Sequence, residues 1–264
     1  MRLGARVPQQ AIVLAAGEGR RLWPVTAVTP KPLVPFFGRP LMDWAVDTLV
    51  ACGVTRIAVN AFHLADAVTA RVDVLAARLP RVDFFVSREP ALLGTGGAVR
   101  HLRSWLTPDA PFFVLNSDAV FAASPAVLAE AVDATDSDAA LLVTRDGSLA
   151  SERRLVSDHG RWSALVEGAS DPAVPDRFAF CGLTLADAGL PARLPDGPSC
   201  LLRQGFVPYL ASPGRGASPL RVATTAPLRV ALVETDQFFA DTGTPQALID
   251  AHVRGYDWVS ARRA

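Results

Sequence analysis

Residues 10–16 read QAIVLAA, and Gly17 and Gly19 come directly after. A short, nearly continuous apolar run is the pattern of a strand buried on both faces, as in a parallel sheet covered by helices on each side. Glycines just past the end of such a strand let backbone N–H groups come close to a ligand without side-chain obstruction, which makes an anion cradle. The rest of the chain extends the pattern. Strands are expected over 11–16, 55–60, 82–87, 111–116, 139–144, 178–185 and 228–234, and helices over 41–52, 64–79, 96–106, 125–134, 200–211 and 245–256. Their alternation through the first 145 residues predicts an α/β fold with a mainly parallel sheet between two helical layers. Ligands then belong at the carboxyl ends of the strands. The polar segment 146–177 and the Pro/Gly-rich stretches 187–199 and 212–219 read as loops or a small excursion within a single domain spanning 1–264.

The glycine loop is not one of the two best-known phosphate loops. A dinucleotide fingerprint needs a third glycine where Leu22 stands, and a Walker A loop needs a Gly-Lys-Ser/Thr that is absent. The loop leads instead into Arg20-Arg21 and then Lys31, the only lysine among 26 lysines and arginines. Lysine ends in a compact ammonium on a flexible stem, suited to a crowded phosphorus centre, whereas arginine presents a planar fork. Pro24, Pro30 and Pro32 are expected to hold the intervening segment extended, carrying Lys31 back across the loop.

These residues resemble the sugar-1-phosphate nucleotidyltransferase family, whose signature appears here as Ala15, Ala16, Gly17, Gly19, Arg21, Leu22, Pro24, Thr26, Pro30, Lys31 and Pro32, with Val25 in place of the usual Leu. The likeness covers most of residues 10–145. It is similar in look to short N-acetylmuramate-1-phosphate uridylyltransferases and to mannose-1-phosphate guanylyltransferases. The resemblance implies a Rossmann-like three-layer fold, with a nucleotide-binding half over about 10–145 and a sugar-binding half over about 146–264. It further implies nucleotide binding by Ala15, Ala16, Gly17, Gly19 and Arg21, and catalytic roles for Arg21 and Lys31.

Three further stretches gain meaning from that likeness. Asn116-Ser117-Asp118 closes the apolar run 111–115, and on its own is either turn chemistry or a strand-end carboxylate placed to hold Mg²⁺. The resemblance favours the metal, with Asp118 as one ligand, Asp241 of Asp241-Thr242-Gly243-Thr244-Pro245 as the second, and Asn116 at the sugar phosphate. Thr244 and Pro245 are ordinary helix-start grammar. Gly94-Thr95-Gly96-Gly97 opens a helix and is either a plain turn or, as in the family, the loop that reads the nucleobase. Gly182 matches the family's sugar-contacting strand glycine, although strand glycines more often mark bulges. Relatives often carry a second lysine near the sugar phosphate. Here the corresponding stretch is Val166-Glu167-Gly168, so either Arg177 substitutes or that subsite is built differently. His63, His101, His159 and His252 show no ligand spacing and read as surface or packing residues.

Formal net charge is zero, so no global field recruits nucleic acid or a membrane surface. Cys52, Cys181 and Cys200 lack metal spacing and cannot all pair, which fits reduced thiols. No signal-peptide core or membrane span is visible, so a cytoplasmic setting is expected. The reaction implied by the resemblance is attack of a sugar-1-phosphate oxygen on the α-phosphorus of a nucleoside triphosphate, with Mg²⁺ as cofactor. A non-catalytic nucleotide-sensing homologue and a metal-dependent glycosyltransferase are the alternative classes. Base, sugar and oligomeric state are not legible in the sequence.

Overall fold

The computed structural model describes residues 7–145, 153–158, 161–167, 177–210 and 228–263. In chain order the strands are β1 (Gln10–Leu14), β2 (Pro35–Phe36), β3 (Arg39–Pro40), β4 (Arg56–Ala61), β5 (Asp83–Arg88), β6 (Phe112–Asn116), β7 (Ala119–Phe121), β8 (Ala139–Thr144), β9 (Arg153–Asp158), β10 (Arg161–Glu167), β11 (Arg177–Ala186), β12 (Val230–Glu234) and β13 (Phe239–Asp241). The helices are α1 (Val25–Val28), α2 (Leu41–Ala51), α3 (Ala65–Arg78), α4 (Gly94–His101), α5 (Ala126–Thr135), α6 (Leu190–Arg193) and α7 (Pro245–Arg263). Every expected strand is present, with ends within two residues of the expectation.

Nine strands form one mixed sheet in the order β5-β4-β1-β6-β11-β8-β12-β10-β9. β5, β4, β1 and β6 are mutually parallel, β12 is parallel to β8, and β11 is inserted antiparallel between β6 and β8. Alternation within the strands sends side chains to two cores. Ala11, Val13, Phe113 and Leu115 face the layer of α2, α3 and α5, where Val46, Val72 and Leu128 meet them. Ile12, Phe112 and Val114 face the opposite layer, with Val99, Leu190 and Phe206. Both faces of β1, β6 and β8 are therefore buried, which is why these strands are apolar without alternation. A third cluster, including Phe36, Trp44, Ala240 and Val259, packs α7 beside α2 and β13.

Four local expectations need correction. The proline segment is not extended: it folds as successive single turns, Arg20–Leu22, α1 and Lys31–Leu33. Proline fixes φ near a value that the first turn of a helix also uses, so it permits these turns as readily as extended chain. The 146–177 excursion contains the antiparallel pair β9 and β10, whose polar composition hid the pairing. Residues 200–211 do not form an α-helix but a π-helical turn over Leu201–Phe206 and a 3₁₀ turn over Val207–Tyr209. The stretch 187–199 includes the short α6. Gly168, His159 and the stretch 212–219 lie outside the described residues. No described helix is long and apolar enough to cross a membrane.

Candidate active site

Parallel pairing aligns three strand ends. Leu14 is the register partner of Asn60 on β4 and of Asn116 on β6, so two asparagines flank the start of the glycine loop. Ser117 N donates to Leu14 O at 3.1 Å, and His63 N donates to Ala16 O at 3.4 Å. The carboxyl edge of the sheet is thus polar although the strands are not.

The glycine loop is pinned from behind. Thr26, fully buried, donates from Oγ1 to Gly19 O at 2.8 Å, and His63 Nε2 lies 2.7 Å from Thr26 O. Gly19 has φ +63°, and a Cβ there would lie 3.0 Å from Thr26 Cγ2 and 3.1 Å from Lys31 Cβ. Its positive φ favours glycine, and a Cβ would need Thr26 or Lys31 to shift by a few tenths of an ångström. Gly17 differs, because a Cβ there would meet nothing within 4 Å.

Two cavities adjoin at the strand ends. One, of about 280 Å³, is lined by Ala15, Ala16, Gly17, Lys31, Asn60, Leu92, Gly94, Thr95, Asn116 and Asp118. The other, of about 260 Å³, includes Arg21, Asn116, Asp118, Phe180, Gly182, Phe239 and Asp241 in its wall. Asn116 and Asp118 belong to both. Lys31 Nζ forms an ion pair with Asp118 Oδ2 at this junction, with both side chains largely withdrawn from solvent.

Asp241 arrives by β-pairing. β13 runs antiparallel to β7 with Asp241 opposite Ala119, and Thr242 Oγ1 donates to Asp118 O at 2.8 Å. Gly243 N donates to Asp241 Oδ1 at 2.8 Å. Arg21 stands against the same turn: a Cβ on Gly243 would lie 2.6 Å from Arg21 Nη2 and 2.9 Å from Asp241 Oδ1. Two carboxylates from distant parts of the chain, Asp118 and Asp241, therefore line the second cavity with Arg21, and Lys31 is paired to Asp118 at its border with the first. Hard oxygen ligands of this number, leaving room for phosphate oxygens, suit Mg²⁺.

The remaining predicted residues are spread more widely. Gly19, Gly96 and Gly97 line neither cavity. Gly96 N donates to Ser199 O at 2.8 Å, and a Cβ on Gly97 would lie 2.6 Å from Gly197 O, so this pair lets α4 pack against residues 197–199. Thr95 Oγ1 accepts from Leu201 N at 2.8 Å. Gly182 (φ +84°) sits where the β11 register shifts, and a Cβ there would lie 2.8 Å from Ala119 Cβ. Arg177 opens β11. Sequence reasoning gave no role to Asn60 or Glu89, took Thr26 only as part of the signature, and read His63 as a surface or packing residue. Asn60 was detectable as a polar residue ending an apolar strand, as Asn116 is; Glu89 and His63 depend on contacts remote in sequence.

The nucleotidyl transferase family model matches residues 10–152. An N-acetylmuramate alpha-1-phosphate uridylyltransferase of Caulobacter vibrioides is 29% identical over 255 residues, covering 95% of this chain and 98% of that protein. A mannose-1-phosphate guanyltransferase of Aspergillus fumigatus is 34% identical over 178 residues, 64% of this chain; the match spans only 44% of the fungal protein's length. Among solved structures, HddC from Yersinia pseudotuberculosis complexed with GMP-PN superimposes with a TM-score of 0.70 at 20% identity, covering 93% of this chain and 99% of that one. That likeness establishes the three-layer α/β fold.

Proposed function

Because this chain belongs to the nucleotidyl transferase family, we propose that it joins a nucleoside triphosphate to a sugar-1-phosphate, forming a nucleoside-diphosphate sugar and pyrophosphate. The observation that carries this reading is the junction itself, where Lys31 pairs with Asp118 while Arg21 and Asp241 line the adjoining cavity wall. The names of the relatives support UTP or GTP as donor and N-acetylmuramate-1-phosphate or mannose-1-phosphate as acceptor.

In this reading an oxygen of the sugar phosphate attacks the α-phosphorus, and the bond to the β-phosphate oxygen breaks. A phosphate monoester has a second pKa of about 6, so the attacking group is already largely dianionic and needs no general base. Rate then comes from alignment and charge neutralisation. Gly17 leaves open space for the triphosphate, Arg21 clamps phosphate oxygens, and Lys31 supplies a point charge near the reacting phosphates. Asp118 and Asp241 would hold Mg²⁺, which when bound neutralises phosphate charge. Cys52, Cys181 and Cys200, which are three and so cannot all pair with one another, accord with a cytoplasmic setting.

Pyrophosphate release tests the reading. UTP, GTP, CTP, dTTP and ATP are crossed with N-acetylmuramate-, mannose- and glucose-1-phosphate in the presence of Mg²⁺, beginning with the UTP and N-acetylmuramate-1-phosphate pair because that relative aligns end to end. Sugar-dependent release with one pair is expected. Silence across the panel with nucleotide binding intact would sink the catalytic reading and favour a sensing role.

A further inference from the structure

We infer that Asn60 and Glu89, which carry none of the roles assigned above, form a positioning relay that sets the spacing between the glycine loop and the Leu93–Gly97 loop and so governs nucleotide affinity. The inference rests on the nucleotidyl transferase reading. Ala15 N donates to Asn60 Oδ1 at 2.7 Å, Asn60 Nδ2 donates to Glu89 Oε1 at 2.7 Å, and Leu93 N donates to Glu89 Oε2 at 3.0 Å. Asn60 and Glu89 are 3% and 7% exposed. The first cavity lies between the loops so joined, with Ala15 on one wall, Gly94 on another and Asn60 itself in the lining.

The order of groups in this relay has only one solution. A backbone N–H can only donate, so Asn60 must present its oxygen to Ala15 and its amide nitrogen to Glu89. Glu89 then faces donors at both ends, Asn60 Nδ2 and Leu93 N. Only a residue with two acceptor oxygens satisfies both, which a carboxylate does and a carboxamide does not. A glutamine in place of Glu89 would set N–H against N–H at one end whichever way it turned. A buried carboxylate held by two neutral donors is costly, which argues that the site retains it for its geometry. Nothing else about packing demands a charge here, since a glutamine has nearly the same shape.

The same logic supplies a rescue. Combining Asn60→Asp with Glu89→Gln restores every bond. The introduced aspartate accepts from Ala15 N and from the introduced glutamine's amide, while the oxygen of that glutamine accepts from Leu93 N. Three variants are compared: Glu89→Gln, Asn60→Asp, and the two together. UTP and GTP affinity is measured by calorimetry, with KM and kcat where turnover is found and amide exchange at Ala15 and Leu93. Each single change is expected to weaken triphosphate binding about tenfold or more, to raise KM for the triphosphate more than it lowers kcat, and to speed exchange at Leu93. The pair is expected to return affinity to within about threefold of wild type. Wild-type affinity in folded Glu89→Gln, or a double variant as weak as the singles, would overturn the relay. Should a single variant fail to fold, the double variant still decides. A wild-type protein that binds neither triphosphate would instead overturn the reading of the site, and the relay's role with it.

Discussion

Lys31 Nζ and the Asp118 carboxylate form an ion pair between residues 87 positions apart, at the point where the two cavities meet. The pair brings the segment after the glycine loop against the β6–β7 turn. It also places the chain's one lysine beside a carboxylate that is a candidate metal ligand, so that each would help hold the other until phosphate arrives.

Lys31→Ala should therefore lower kcat by about a hundredfold or more while changing KM for the triphosphate much less, because its charge matters most as charge builds up in transfer. Lys31→Arg should recover little, since a planar fork does not replace a compact ammonium at a crowded centre. Steady-state kinetics on both variants check this. Near-normal turnover in either would remove the assigned role.

Asp118→Asn and Asp241→Asn should each raise the Mg²⁺ concentration for half-maximal activity by about tenfold or more, as each removes one of two charged ligands. Their combination should be less than additive if they share one ion. Activity measured across a Mg²⁺ titration, with EDTA as the zero point, tests it. Full turnover in EDTA would argue against a metal at this junction.

Gly17 and Gly96 should separate binding from stability. Gly17→Ala adds a methyl into open space beside the first cavity, so triphosphate affinity should fall while Tm holds. A Cβ at Gly96 would lie 2.7 Å from Ser199 Oγ and 2.9 Å from Leu194 Cδ2. Gly96→Ala should cost about 1–3 kcal/mol from overpacking, seen as a lower Tm by calorimetry. The reverse pattern would mean the two loops are misassigned.

Gly182→Ala should lose about 1–3 kcal/mol through positive φ and the contact with Ala119. Adding Ala119→Gly should recover the steric part and leave the conformational part. Urea unfolding of the single and double variants gives both terms. No recovery at all would place the whole cost in the backbone.

Burial pushes the Cys52 thiol up to about 11, from an ordinary value of 9.0. Alkylation of Cys52 by iodoacetamide at pH 8 should accordingly be slow in the folded protein. The sign for stability is then fixed. A folded-state value above the ordinary one means the contribution is complete below pH 9 and is lost as pH rises through about 11. Denaturation midpoints across that range should decline, and decline less in Cys52→Ala.

The sequence by itself determined the seven apolar strands and the glycine loop that follows the first of them. A short apolar run such as 10–14 or 139–144, bounded by polar or glycine residues, fits a strand covered on both faces, and a glycine past its end loosens the backbone there; both are local facts of solvation and sterics. The motif around Lys31 was equally local, which is why its residues could be singled out before any contact was known. Tertiary structure alone decided the pairing of β13 with β7 that sets Asp241 opposite Ala119, the use of Gly96 and Gly97 for packing against residues 197–199, and the relay from Ala15 through Asn60 and Glu89 to Leu93. The reason is the same in each case. A hydrogen bond or a close approach between residues tens of positions apart leaves no periodicity in either segment, and becomes visible only when the sheet has set the strand ends side by side.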